Sequence, residues 1–135
     1  MTVLIIRFAR LELRERVVLY FSALINADGL DGFVMCGPGT IDGNGMRSWK
    51  AFWLRRSWNP KCTNKDEQRP RLVYLSNCKN VLIADLNLQN SHFWTTHLYH
   101  CDHVKYLNCR IFHRHRLLRR QAQMQLTLMC AAIFW

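Results

Sequence analysis

The 135-residue chain predicts an all-β fold: a parallel β-helix of about three coils, flanked by irregular N- and C-terminal extensions. Three observations lead there. LSNCKNVLIADLNL at 75–88 aligns without a gap on LYHCDHVKYLNCRI at 98–111, so Leu75, Cys78, Val81, Ile83, Leu86 and Leu88 fall on Leu98, Cys101, Val104, Tyr106, Cys109 and Ile111, each 23 residues on. Within each copy the apolar positions alternate, as strands require. Polar turns at Asn87 and Asn108 then close each copy. No helical heptad fits that period.

Residues 1–19 carry four arginines against two glutamates and form the N-terminal extension. A weaker third copy follows in GLDGFVMCGPGTIDG, with Phe33, Met35 and Ile41 in strand phase and a glycine turn that breaks the register. Its end, GPGTIDGNG at 37–45, invites a cofactor reading. A P-loop would close with Gly-Lys-Ser/Thr, whereas Gly45 is followed by Met46 and Arg47. The dinucleotide fingerprint needs other glycine spacing and a helix, and a calcium loop needs more oxygen ligands than Asp42 and Asn44 supply. No cofactor is expected. The stretch reads as a short strand, Thr40-Ile41, and a tight turn in which glycine supplies positive φ. Asp42 is then a turn carboxylate and not a catalyst.

Residues 47–71 are the least regular part. Trp49, Phe52 and Trp53 recur at near-helical spacing, so a short helix and a loop to Arg69-Pro70 are expected, with Asn59-Pro60 marking the turn. Its aromatics either pack on the flank of the β-helix or present a basic surface to a polyanion. The last 23 residues hold four arginines and no acid.

The net charge of +10 divides as +2 over 1–19, +4 over 20–112 and +4 over 113–135. The middle is only mildly basic, which argues against a nucleic-acid partner. The longest apolar run, Leu126–Trp135, is about half of a ~20-residue membrane span, so none is expected. The N-terminus lacks the pattern of a signal peptide. Six cysteines neither make a disulfide scaffold nor show the paired spacing of a zinc site.

GPGTIDGNG, Trp49 and RPRLVYLSNCKNVLIADLNLQNSHFW with its Arg69-Pro70 together resemble, in family order, the front half of polygalacturonase-like family 28 glycoside hydrolases. The resemblance covers 20–112 and leaves 1–19 and 113–135 outside. It implies a right-handed parallel β-helix, inverting hydrolysis of pectin-type polysaccharides, a galacturonan-like substrate, and a secreted or periplasmic location. The family's Asn-Thr-Asp, Gly-Asp-Asp, Gly-His-Gly and Arg-Ile-Lys motifs do not occur, and Arg110-Ile111-Phe112 matches the last only superficially. Inverting chemistry needs an acid and a base on either side of the bond. No catalytic residue is therefore assigned, the chain reads as a truncated or frameshifted fragment, and it is expected to be inactive alone. The alternative is a non-catalytic module binding an acidic polymer, pectate or nucleic acid.

By the 23-residue offset, the family's Asn-Thr-Asp would stack over His92, Phe93 and Trp94. SHFWTTHL at 91–98 then reads as the same strand one coil earlier, facing the substrate groove. There Trp94 either stacks on a sugar ring or packs under a loop, and His97 either hydrogen-bonds sugar or meets a uronate carboxylate. A metal among His97, His100, Cys101 and His103 is not expected, because in a strand His97 and His100 point to opposite faces, as do His100 and His103, and a tetrahedral site would need a tight turn there. Cys78 and Cys101 share one coil position and stack as buried thiols, close enough for a disulfide if their Cβ geometry allowed. The basic tail from Leu117 is a candidate cap for the coil stack.

Overall fold

The computed structural model describes residues 8–13, 16–63, 66 and 68–113, with backbone alone for 8–13 and 16–20. The tail from Leu117, with its capping role, lies outside the described residues. The first two strands, β1 (Phe8–Leu13) and β2 (Arg16–Phe21), pair antiparallel from Phe8↔Phe21 to Leu13↔Arg16. The described part of the N-terminal extension therefore consists of paired strands where an irregular segment was expected. Its backbone hydrogen bonds close locally, which gives it no share in the 23-residue pattern.

Three coils follow, each contributing one strand to each of two parallel sheets. The first sheet is β3 (Ile25–Asp28), β5 (Val73–Ser76) and β7 (Thr96–Tyr99). The second is β4 (Val34–Asp42), β6 (Lys79–Gln89) and β8 (Asp102–Leu107), with β9 (Arg110–Phe112) also on β6. Between the second and third coils the register keeps the repeat throughout: Val73↔Thr96, Leu75↔Leu98, Val81↔Val104, Ile83↔Tyr106 and Leu88↔Ile111. Between the first and second, Ile25 pairs with Val73 and Met35 with Ile83. A helix, α1 (Met46–Trp58), and its loop fill the extra length.

The glycine turn does break the register, by one residue. Cys36 pairs with Ala84 but Gly39 with Leu86, so Gly37 and Pro38 together oppose Asp85 alone. This is a β-bulge. Gly37 at φ 134° is its glycine-only conformation, and Pro38 contributes no ladder donor. The strand is thus longer than Thr40-Ile41, running on both sides of the bulge.

Inward side chains stack in ladders, as equivalent positions on parallel coils must. Ala27, Leu75 and Leu98 form one; Phe33, Val81 and Val104 another; Met35, Ile83 and Tyr106 a third; Ile41, Leu88 and Ile111 a fourth. Among the described residues, only the middle coil has a coil on both sides. Val73, Leu75, Ile83 and Leu88 are fully buried and Val81 nearly so, each contributing roughly 1.5–3 kcal/mol. Most of their partners on the outer coils are half-buried, Ala27 and Thr96 being the buried exceptions.

The corners repeat as faithfully as the strands. Gly29, Asn77 and His100 take φ of 65°, 52° and 49° at one corner, and Gly32, Asn80 and His103 take 78°, 52° and 50° at the next. Left-handed backbone suits glycine and, among residues with a Cβ, asparagine, aspartate and histidine. His100 and His103 are therefore corner residues. That overturns the regular strand geometry used above for the histidine cluster, since His100 sits at a bend before β8 and His103, within β8, has left-handed backbone. His97 is buried, whereas His103 is exposed beside Asp102 at 3.2 Å. Among the described residues no three His, Cys, Asp or Glu side chains gather to hold a metal ion.

Cys78 and Cys101 occupy equivalent positions as free thiols. Cys78 is buried and Cys101 half-buried, because the third coil is an outer one. Each donates to the carbonyl two residues back, Cys78 to Ser76 at 3.2 Å and Cys101 to Tyr99 at 3.4 Å. No helix among the described residues is long and apolar enough to cross a membrane.

Candidate functional site

The turn closing the first coil, the helix after it and the segment 90–95 meet at one end of the strands. Asn44, at φ 53°, takes the left-handed position of the D-G-N-G turn, and its N–H donates to Asp42 Oδ1 at 2.8 Å. Gly43 and Gly45 do not have positive φ, contrary to expectation. They are glycines because the next coil is too close. A Cβ on Gly45 would lie 2.5 Å from the Ser91 carbonyl oxygen, and one on Gly43 would lie 2.8 Å from that of Asn90. The approach lets Gly45 N–H donate to Asn90 O at 2.7 Å and Gly43 N–H to Gln89 O at 2.9 Å. Asp42 also accepts from the Asn90 amide at 2.9 Å and from the Gln89 amide. It is a corner clamp, as its turn position implied.

Helix α1 then starts at Gly45 and packs inward through Trp49 and Phe52. The Trp49 indole N–H donates to Ser91 O at 2.8 Å, and Ser48 Oγ hydrogen-bonds His92 Nδ1 at 2.6 Å. Segment 91–95 is not strand. Ser91 Oγ donates to Phe93 O at 2.8 Å and bonds Thr95 Oγ1 at 3.1 Å, local bonds that bend the chain. The strand expected over 91–98 begins only at Thr96.

Into this end come two buried arginines, spaced by two along an extended R-P-R segment. The Arg69 guanidinium lies 4.4 Å from the ring centres of both Trp49 and Phe52 and 5.0 Å from Phe93. Arg71 lies 5.4 Å from Trp94, 5.6 Å from Phe93 and 5.9 Å from Tyr74. Phe93 thus shares both cations. Desolvated cation–π contacts of this kind are worth about 2 kcal/mol each. The sequence reading missed this cluster; the alternation of arginines beside an aromatic-rich helix was its only signal.

Both predicted site residues belong to the cluster. Trp94 is half-buried, stacked on Phe93 at 5.4 Å between ring centres and in edge contact with His97 at 4.5 Å. His97 is buried against Tyr74 as well, with centres 5.1 Å apart. Burial and the adjacent Arg71 cation lower its pKa to about 3, so its imidazole is neutral over ordinary pH. Burial likewise lowers the pKa of His92, with a smaller downward contribution from Arg69. The cluster offers flat aromatic faces beside cations, an arrangement that can hold a ring but not transfer a proton. The six aspartates of the chain are all engaged at turns and corners. Asp28, Asp31, Asp42 and Asp85 accept from asparagines of the following coil, Asp66 from Thr63, and Asp102 pairs with His103.

Three solved chains match this one. One is a candidate glycosyl hydrolase from Parabacteroides merdae ATCC 43184, with a TM-score of 0.52 at 22% identity, covering 66% of this chain and 39% of that one. The likeness is one of fold, and this chain spans 39% of that chain's length. No curated protein matches. The profile of glycosyl hydrolases family 28 matches residues 5–116, beginning within the stretch that the motif comparison had left outside. With a parallel β-helix of the expected register beneath that match, the chain belongs to glycosyl hydrolase family 28.

Proposed function

We propose that this chain is the substrate-holding front part of a polygalacturonase-type hydrolase acting on pectin-like polysaccharides, and that it has no hydrolytic activity by itself. Residues 20–112 are its partial β-helix, 1–19 and 113–135 its extensions, and its setting is secreted or periplasmic. Trp94 stacks on a sugar ring. His97 supports it from below, since a buried neutral imidazole is unsuited to meet a uronate directly.

The observation that carries the reading is Trp94 itself: half-exposed, braced on two sides by Phe93 and His97, and 5.4 Å from the Arg71 guanidinium. An aromatic face braced in this way suits stacking on a sugar ring, and the buried Arg71 adds a through-space attraction for a ring bearing a carboxylate. The proposed inactivity is supported by the six aspartates, each used to hold turns or corners. Trp94→Ala is expected to weaken binding of galacturonate oligomers in titration calorimetry by about tenfold, roughly one stacking contact. Unchanged affinity overturns the groove assignment. Release of reducing ends from polygalacturonate by the pure chain overturns the proposed inactivity.

A further inference from the structure

Helix α1 is bound to the fold on one side only. Trp49 and Phe52 are buried, and Arg56 lies on that inner flank, 5.9 Å from the Phe52 ring and 5.8 Å from that of Trp53. On the opposite side, the helical period aligns Arg47, Lys50, Leu54 and Trp58 in one exposed stripe with Arg55 beside it. From Arg47 to Trp58 the stripe is roughly 16 Å long at the helical rise. Trp58 is 76% exposed and Leu54 54%. The helix contains no acidic residue.

We propose that this stripe is a second glycan-binding surface, separate from Trp94, that takes a uronate polysaccharide. The Trp58 indole stacks on a sugar ring, and Arg47, Lys50 and Arg55 meet carboxylates along the polymer. The uronate identity rests on the substrate class proposed above. Leu54 and Trp58 are exposed one helical turn apart and in line with the cations, an apolar strip rimmed by charge as interaction surfaces are. The chain's own residues 113–135 are a poor occupant, since they carry four arginines and no acid and would face the cations of the helix with like charge. Single-stranded nucleic acid is disfavoured because the stripe has one aromatic platform, whereas successive bases want several.

The full chain is run through gels containing polygalacturonate or neutral galactan, and its binding of single-stranded DNA of matched charge is measured alongside. Three variants accompany it: Trp58→Ala, the double Arg47→Gln/Lys50→Gln, and Trp94→Ala. Circular dichroism checks their fold, which these exposed α1 positions leave intact. Retention by polygalacturonate is expected to weaken about fivefold in both α1 variants, with no retention by galactan. Unchanged retention in both overturns the proposal, as does DNA binding equal to that of polygalacturonate. If Trp94→Ala alone weakens retention, the groove reading survives and this one falls. If the α1 variants alone do so, this one survives and the groove reading falls.

Discussion

The Asn108 amide donates to the Asp85 carboxylate at 2.8 Å, one coil apart, and both residues hold left-handed backbone at φ 49° and 59°. The same residue pair ties coils together at Asp28 and Asn77, Asp31 and Asn80, and Asp42 and Asn90. Corner and clamp are thus made by the same few residues. An asparagine can adopt the left-handed bend and still present an amide to the carboxylate of the preceding coil.

These clamps differ in strength. Asp42 accepts from the Asn44 N–H and from the amides of Gln89 and Asn90, while Asp31 accepts one exposed bond from Asn80 at 2.7 Å. Asp42→Ala is expected to lower stability by about 2 kcal/mol and Asp31→Ala by less than about 1 kcal/mol. Urea midpoints measure both, and the reverse order would contradict the clamp role of Asp42.

Glycine positions separate into two kinds. Gly45→Ala drives a Cβ into the Ser91 backbone at 2.5 Å, which costs about 3 kcal/mol or prevents folding. Gly29→Asn places asparagine at φ 65° with no atom within 4 Å of its Cβ, the same corner that Asn77 occupies one coil on. That change is expected to stay within about 0.5 kcal/mol of wild type. Equal losses in the two variants, by chemical denaturation, would refute the distinction.

Acid lability follows from His97. The unfolded side chain takes up its proton near 6.5, the folded one only near 3. Between those values the unfolded state holds more protons, so stability falls as pH is lowered through the window, by about 1.4 kcal/mol per pH unit where the difference is fully developed. His92 and His113, both lowered by burial, add in the same direction. His97→Phe keeps an aromatic ring and removes the titration. It should narrow the difference in melting temperature between about pH 7.5 and about pH 4.5 relative to wild type; an unchanged difference would exclude His97 as its source.

The three-coil stack also grades its own core. Ile83 is fully buried in the middle coil and Ile111 half-buried in the third. Ile83→Ala is expected to cost about 3–4 kcal/mol and Ile111→Ala about half that, read from calorimetric unfolding. Equal costs would indicate that the third coil is covered as fully as the second.

Much of this was legible because a solenoid writes its contacts into its period. The 23-residue offset aligned Leu75 with Leu98 and Ile83 with Tyr106, and the observed ladders are those pairs. A carboxylate two residues before Asn44 announced the turn that Asp42 closes. What stayed hidden depends on neighbours that no period encodes. Gly43 and Gly45 looked like conformational glycines, but their reason is the Asn90–His92 backbone across the gap. His100 and His103 gave no local sign of left-handed backbone, because histidine adopts it without requiring it; only their alignment with Gly29, Asn77, Gly32 and Asn80 reveals it. The arginine cage needed α1 to fold back before Arg69 could meet Trp49.

The insertion carrying α1 sets a timetable. Ile25 pairs with Val73 across 48 positions, whereas Val73 pairs with Thr96 across 23. Closing the longer loop costs only about 0.6 kcal/mol more chain entropy, a small thermodynamic difference but a real delay on the ribosome. There β3 and β4 emerge as bare edges and wait for α1 and its loop, β3 until β5 follows and β4 until β6 does, before either finds its partner. The bulge at Gly37-Pro38, which kinks one of those strands and removes a donor from it, guards the edge against a stranger's strand during that wait.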